Sequence, residues 1–209
     1  HPVDRRQRQM CIRDRPKLNV LIAGSTGYIG VQLIKLLIKH KNINIKYLCG
    51  NSSAGKKISS YDTSLKSKKL PRITKYNKKY LSYVDIIFTA LPNGEAQLIS
   101  KDLLKKNTLI DLAADFRLNK ASDYLKWYKQ KHKALSNIKN SIYALPEITG
   151  KLVKKFSIIG CPGCYPTSIL LPLIPLVKKR SINLKNIIID SKSGYSGAGR
   201  GVHKKFKNK

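Results

Sequence analysis

The chain has 209 residues, 42% of them apolar, and its 42 Lys plus Arg stand against 11 Asp plus Glu for a formal charge of +31. A sizeable folded core is therefore expected. A membrane span is excluded, because the longest apolar candidate, SILLPLIPLV, is short and interrupted by Pro172 and Pro175.

The first 16 residues, HPVDRRQRQMCIRDRP, hold five of the nine arginines and no lysine. They show no periodicity and are set apart, with Cys11, as a non-native leader. No apolar segment of the signal-peptide kind is present there, so the expected compartment is the cytoplasm. Four cysteines without framework spacing also suit a reducing environment. Beyond the leader, the positive charge is spread along the chain, and 33 of the 42 basic residues are lysine. This reads as a bias of composition that favours small anionic ligands. Nucleic acid is the lesser reading, marked by a steep salt dependence.

From residue 17 the pattern is strand, glycine turn, helix. LNVLIAG is a nearly continuous apolar run, as expected of a strand covered on both faces. GSTGYIG follows, with Gly24, Gly27 and Gly30 in a GxxGxxG. In YIGVQLIKLLIKH the spacing predicts a helix with Ile29, Leu33, Leu36 and Leu37 on its inner face. Glycines between a buried strand and a helix let the backbone approach a pyrophosphate at the helix N-terminus; the plainer alternative is an ordinary tight turn. INIKYLCG is the second strand. It ends in Cys49, Gly50, Asn51, Ser52 and Ser53, then Lys56 and Lys57, with hydroxyls and cations where an NAD site usually offers a carboxylate. That favours NADP(H).

A polar loop leads to the strand VDIIFTAL, where Asp85 is structural, then to the helix EAQLISKDLLKK and the strand TLIDLAA. Alternating elements of this size predict an α/β fold, a Rossmann-type doubly wound parallel sheet. SDYLKWYKQKHKAL is expected to form a helix with Tyr124, Trp127 and Tyr128 inward. IYALPEITG then leads to the strand FSIIG, and LKNIIID is expected to begin a second domain as a strand.

Between FSIIG and the next apolar run stands CPGC. A zinc site needs about four ligands; Cys11, Cys49 and the scattered His1, His40, His132 and His203 do not supply them, so no metal is expected. A redox dithiol stays open, as does a pair of inert buried thiols. If a helix begins near Pro166, Cys164 lies just ahead of its positive end, which stabilises a thiolate. Cys164 is therefore the preferred nucleophile.

GSTGYIG, IIFTALPNG, IDLAADFRL, YALPEI, PGCYPT and SGYSGAGR, in this order over about residues 18 to 201, resemble N-acetyl-gamma-glutamyl-phosphate reductases of arginine biosynthesis. Those enzymes are similar to aspartate-semialdehyde dehydrogenases. The resemblance implies an NADPH-dependent, aldehyde-forming oxidoreductase acting on N-acetylglutamyl 5-phosphate, a small anionic acyl phosphate, through a thioester on Cys164. It implies Arg117 as the ligand of the substrate phosphate, against a plain salt bridge with Asp115 or Asp123. It further implies cofactor contacts from Gly24, Ser25, Thr26, Gly27, Tyr28 and Ile29, from Ser52 and Ser53, from Leu91 and Pro92 with Asn93, and from Ser193, Gly194, Ser196 and Gly197. The implied organisation is a leader at 1–16, an NADP-binding domain at 17–160 and the start of an incomplete α+β catalytic and dimerisation domain at 161–209. The full-length form is implied to be a homo-oligomer with neither nucleic-acid nor membrane partners.

Three departures stand out. Cys161 replaces an Asn frequent before PGC, PNG replaces PHG, and the HRHxPE segment that carries the family's acid/base histidine is absent. His203 lies too close to SGAGR to serve instead, and a C-terminally truncated copy is the expectation. Aspartyl and aminoadipyl phosphates are the rival substrates, and a non-catalytic basic NADP- or nucleic-acid-binding module is the rival class.

Overall fold

A computed structural model describes residues 16–200; the expectations about Cys11, His1, His203 and most of the leader lie outside them. Seven strands form one parallel sheet in the order β3-β2-β1-β4-β5-β7-β6. They are β1 (Leu18–Ala23), β2 (Ile43–Cys49), β3 (Ile73–Thr74), β4 (Ile86–Thr89), β5 (Thr108–Asp111), β6 (Ser141–Tyr143) and β7 (Ile158–Gly160). The helices are α1 (Tyr28–Leu37), α2 (Glu95–Lys101), α3 (Ala121–Tyr128), α4 (Leu135–Ile138), α5 (Pro146–Thr149) and α6 (Cys164–Lys178). The order reverses beside β1, which opens the crevice where doubly wound sheets take ligands.

The apolar run of β1 is explained by its central place. Val20 and Ile22 face one core with Val31, Ile34, Leu48 and Phe88. Leu21 and Ala23, pointing the other way, join Val84, Ile87, Ile99 and Leu109. A strand buried on both faces cannot alternate with polar residues. Asp85 is structural as expected, its Oδ2 accepting the Asn19 N–H at 2.8 Å. The polar loop after β2 is pinned by Ile58 and Leu65, both buried on short 3₁₀ turns.

Three expectations are corrected. On α1 the inner face is Gly30, Val31, Ile34 and Leu37, whereas Ile29 and Leu36 are exposed. The helix carries apolar residues on two stripes, and the one containing Gly30 lies inward because only there can helix and turn backbones touch: a Cβ on Gly30 would stand 2.3 Å from the Gly24 carbonyl oxygen. On α3, Tyr124 is buried but Trp127 is 69% exposed; Tyr124 and Tyr128, four residues apart, share a face with ring centroids 4.9 Å apart. Residues 184–190 form no strand, and Ile188 is 93% exposed. Among the described residues they have no neighbouring strand to pair with. No helix among them is long and apolar enough to cross a membrane.

Candidate active site

The turn after β1 is shaped by backbone contact. Gly24 has φ +82, and a Cβ there would lie 2.1 Å from the Ala90 carbonyl oxygen. Both Gly24 and Ser25 donate their N–H to the Cys49 carbonyl, at 3.0 and 3.1 Å. The Ser25 hydroxyl, fully buried, donates to the same oxygen, so Ser25 fastens the turn to β2. Gly27 is different. It caps α1, and a Cβ there would find its nearest atom at 3.5 Å, leaving its open side for a ligand at the free N–H groups of the helix. Beside this turn a crevice of about 290 Å³ is lined by Gly24, Cys49, Gly50, Asn51, Leu91 and Glu95.

The other expected cofactor residues divide. Thr26, Tyr28, Ile29, Leu91 and Pro92 lie around the mouth of that turn, partly or fully exposed. Ser52 is exposed, but Ser53 is buried and its Oγ accepts the Tyr61 hydroxyl at 2.6 Å. Ser193 is not at the glycine turn: its hydroxyl donates to the Cys164 sulfur at 3.3 Å. Gly194 caps the 3₁₀ turn Tyr195–Ala198 that contains Ser196 and Gly197.

The helix after CPGC starts two residues earlier than expected. Gly163 is the extended N-cap of α6, Cys164 its first residue, and Pro166 lies within the first turn. Pro172 and Pro175 are inside this helix rather than ending it, at the cost of the two backbone bonds their missing N–H groups cannot make. The Cys164 thiol is exposed. Its pKa is held below the ordinary value chiefly by the Ser193 hydroxyl, with the N–H groups of Tyr165 and of Cys164 itself and the charge of Arg117 adding to the effect. Cys161 is the opposite: burial pushes its thiol up to about 11, the nearby Asp111 adding to this.

Arg117 makes no salt bridge with Asp115 or Asp123. Its Nε donates to the Cys161 carbonyl at 2.8 Å and one terminal nitrogen to the Leu112 carbonyl at 3.4 Å. The other, Nη1, points at Gly163, where a Cβ would come within 3.3 Å of it. Arg117 and Cys164 thus flank the same glycine.

Arg200 and Asp111 were not singled out in the sequence, and Asp115 was considered only as an ion-pair partner of Arg117. Arg200 donates from Nε to the Thr26 carbonyl at 3.0 Å and lies 4.2 Å from the Tyr28 ring centroid, linking the SGAGR loop to the glycine turn. Asp111 and Asp115 are both buried. Burial raises Asp111 to about 6, with the Thr89 hydroxyl opposing and Asp115 reinforcing the rise. Two carboxylates four residues apart at the end of a parallel strand were the available signal.

The family model for the semialdehyde dehydrogenase NAD binding domain matches residues 19–156, and that for the semialdehyde dehydrogenase dimerisation domain matches 164–209. The chain is 42% identical over 191 residues to an N-acetyl-gamma-glutamyl-phosphate reductase of Ehrlichia ruminantium, covering 90% of this chain and 55% of that protein. Against the probable chloroplastic N-acetyl-gamma-glutamyl-phosphate reductase of Arabidopsis thaliana the identity is 39%, covering 91% and 48%. The chain spans about half the length of these curated relatives. Among solved structures, aspartate semialdehyde dehydrogenase II of Vibrio cholerae superposes with a TM-score of 0.53 at 19% identity, covering 78% of this chain and 43% of that one. The enzyme from Candida albicans, solved with NADP, gives 0.50 at 21%, covering 78% and 47%. The chain therefore belongs to the semialdehyde dehydrogenase family, and the relatives it matches at about 40% identity are N-acetyl-gamma-glutamyl-phosphate reductases.

Proposed function

We propose that this chain carries the nucleotide-binding part and the nucleophile of an NADPH-dependent reductase that converts N-acetyl-L-glutamyl 5-phosphate to N-acetyl-L-glutamate 5-semialdehyde. The observation that carries this reading is Cys164, exposed at the first turn of α6, its sulfur hydrogen-bonded by Ser193 and its N-cap glycine flanked by Arg117. The Cys164 thiolate attacks the acyl carbon; the bond to phosphate breaks, phosphate leaves with the electron pair, and a thioester remains on Cys164. Arg117, oriented by the Cys161 and Leu112 carbonyls, uses its remaining N–H groups to hold the departing phosphate. When bound, NADPH supplies the hydride that reduces the thioester carbonyl. Collapse of the adduct releases the aldehyde and returns the sulfur as thiolate to the Ser193 hydroxyl.

The cradle suits that cofactor. Gly24, Ser25, Thr26, Gly27, Tyr28 and Ile29 form the turn for the pyrophosphate, with Leu91 and Pro92 opposite. The end of β2 carries no carboxylate of its own, and exposed Ser52 with two lysines beyond accepts a 2′-phosphate, while buried Ser53 braces this loop through Tyr61. Ser193 holds the nucleophile, and Gly194, Ser196 and Gly197 follow it in the cofactor loop that Arg200 ties to the glycine turn. Residues 17–160 make the nucleotide domain, and 161–209 begin the catalytic and dimerisation part. The dimerisation-domain match supports a homo-oligomer, and the high positive charge serves a small anion. The proposed compartment is the cytoplasm, where thiols stay reduced.

The test is alkylation against pH, resolved for each cysteine. Because the Cys164 pKa is lowered and that of Cys161 raised, Cys164 is the fast site at pH 7.5, and its rate falls only below the ordinary thiol range. In Ser193→Ala the Cys164 profile moves toward the ordinary value of about 8.5. Equal rates at both cysteines would sink the nucleophile assignment. Inorganic phosphate protects Cys164 in the parent chain. In Arg117→Ala that protection weakens at least about tenfold, since a bidentate charged contact is lost; unchanged protection would remove Arg117 from the site.

A further inference from the structure

The carboxylate of Asp115 lies outside the chemistry just described, yet it stands between its two halves, bonded to Gly94 after β4 and two residues from Arg117. It is 1% exposed, and among the described residues it has no cationic partner. Four donors surround it instead. Oδ1 accepts the Gly94 N–H at 2.7 Å, the Gln97 side-chain amide at 3.0 Å and the Tyr124 hydroxyl at 2.7 Å. Oδ2 accepts the Gln97 N–H at 3.3 Å. The backbone is tied as closely: the Asp115 N–H donates to Asp111 Oδ2 at 3.1 Å, and the Asp115 carbonyl faces His132 Nε2 at 3.0 Å. The Ala134 N–H donates to His132 Nδ1 at 3.2 Å, so the ring proton belongs on Nε2 and points at Asp115.

What these bonds fix is specific. Gly94 lies in the left-handed region, φ +94, in a turn closed by the Glu95 N–H on the Pro92 carbonyl at 3.3 Å, and Leu91, just before this turn, lines the cofactor crevice. Two residues beyond Asp115, Arg117 reaches the Cys161 carbonyl. Bonds to a charged acceptor are shorter and stronger than those to an amide, and a buried carboxylate held only by dipoles tolerates little displacement of its donors. We propose that Asp115 is a positioning residue that sets the cofactor-facing turn and the phosphate-binding arginine in one register, so that hydride source and acyl phosphate meet over Cys164. The assignment rests on the reading of Leu91, Pro92 and Arg117 given under Proposed function.

The 209-residue chain and its Asp115→Asn variant are compared well below their melting temperatures by two titrations. One follows NADPH binding by its fluorescence; the other follows protection of Cys164 from iodoacetamide by inorganic phosphate. The variant is expected to weaken both by roughly tenfold, the loss of about one hydrogen bond to a charged group. A variant that melts earlier but binds both as the parent does overturns the assignment, and so does one that loses only one of the two. If Asp115→Asn does not fold, Tyr124→Phe, which removes a single donor, is expected to weaken both by roughly threefold; no change overturns the proposal. A parent chain that binds neither ligand overturns the reading of the sites and this assignment with it. A parent that binds both beside an indifferent variant overturns the assignment alone.

Discussion

Replacing Cys164 by Ala abolishes acyl transfer from N-acetylglutamyl 5-phosphate to the chain. In the parent, incubation without NADPH gives stoichiometric phosphate release and an acyl mass increment on the peptide containing Cys164; in Cys164→Ala both fall by at least about a thousandfold, as for other nucleophiles removed from a working constellation. Cys161→Ala keeps the increment, because the half-buried Cys161 thiol, its pKa pushed up to about 11, is protonated at neutral pH. This contrast separates a reductase from a dithiol oxidoreductase. The latter needs both sulfurs, and its activity would vanish in either variant. An acyl group found on Cys161, or phosphate release that survives the loss of Cys164, would refute the mechanism.

The second large effect is expected at Gly24, with Gly27 as its counterpart. Gly24→Ala places a methyl 2.1 Å from the Ala90 carbonyl oxygen at φ +82. Left-handed strain and backbone overlap together cost about 3 kcal/mol or more, which lowers the melting temperature by about 6–12 °C in a chain of this size. Gly27→Ala meets only an ordinary contact at 3.5 Å, so its melting temperature stays within about 2 °C of the parent. Its NADPH affinity nonetheless falls at least about tenfold, because the methyl stands where the pyrophosphate approaches the helix. Thermal melts and NADPH titrations of the two variants decide the matter. If Gly27→Ala bound NADPH as the parent does, the cradle would not be a nucleotide site.

Much of this was legible from local pattern. The apolar run of β1, the glycine turn and α1 could be placed because strand burial and helix periodicity are encoded within a few residues. The inward face of α1 was placed only in part: Leu37 is buried as expected, but Ile29 and Leu36 lose to Val31 and Ile34, and a backbone contact at Gly30 decides between them. Trp127 was misplaced for the opposite reason: a ring at helical spacing reads as core, but α3 buries only the Tyr124 side. β3 and β6, two and three residues long, are too short to leave a period. Cys164 was chosen as the candidate nucleophile from a helix expected to begin near Pro166, whereas α6 begins on Cys164 itself. The cage of Asp115 was hidden, because its donors come from residues 94, 97 and 124 and are neighbours only after the sheet has formed.

The close fit of Gly24 against Ala90 and of Gly30 against Gly24 bears on binding kinetics as well as on shape. Where backbones already touch, the turn has no alternative packing to sample, and a dinucleotide meets a surface whose entropy was lost during folding. Little ordering is then left for the moment of association. Encounter should accordingly proceed in a single phase, with affinity differences among nucleotides expressed in their dissociation rates.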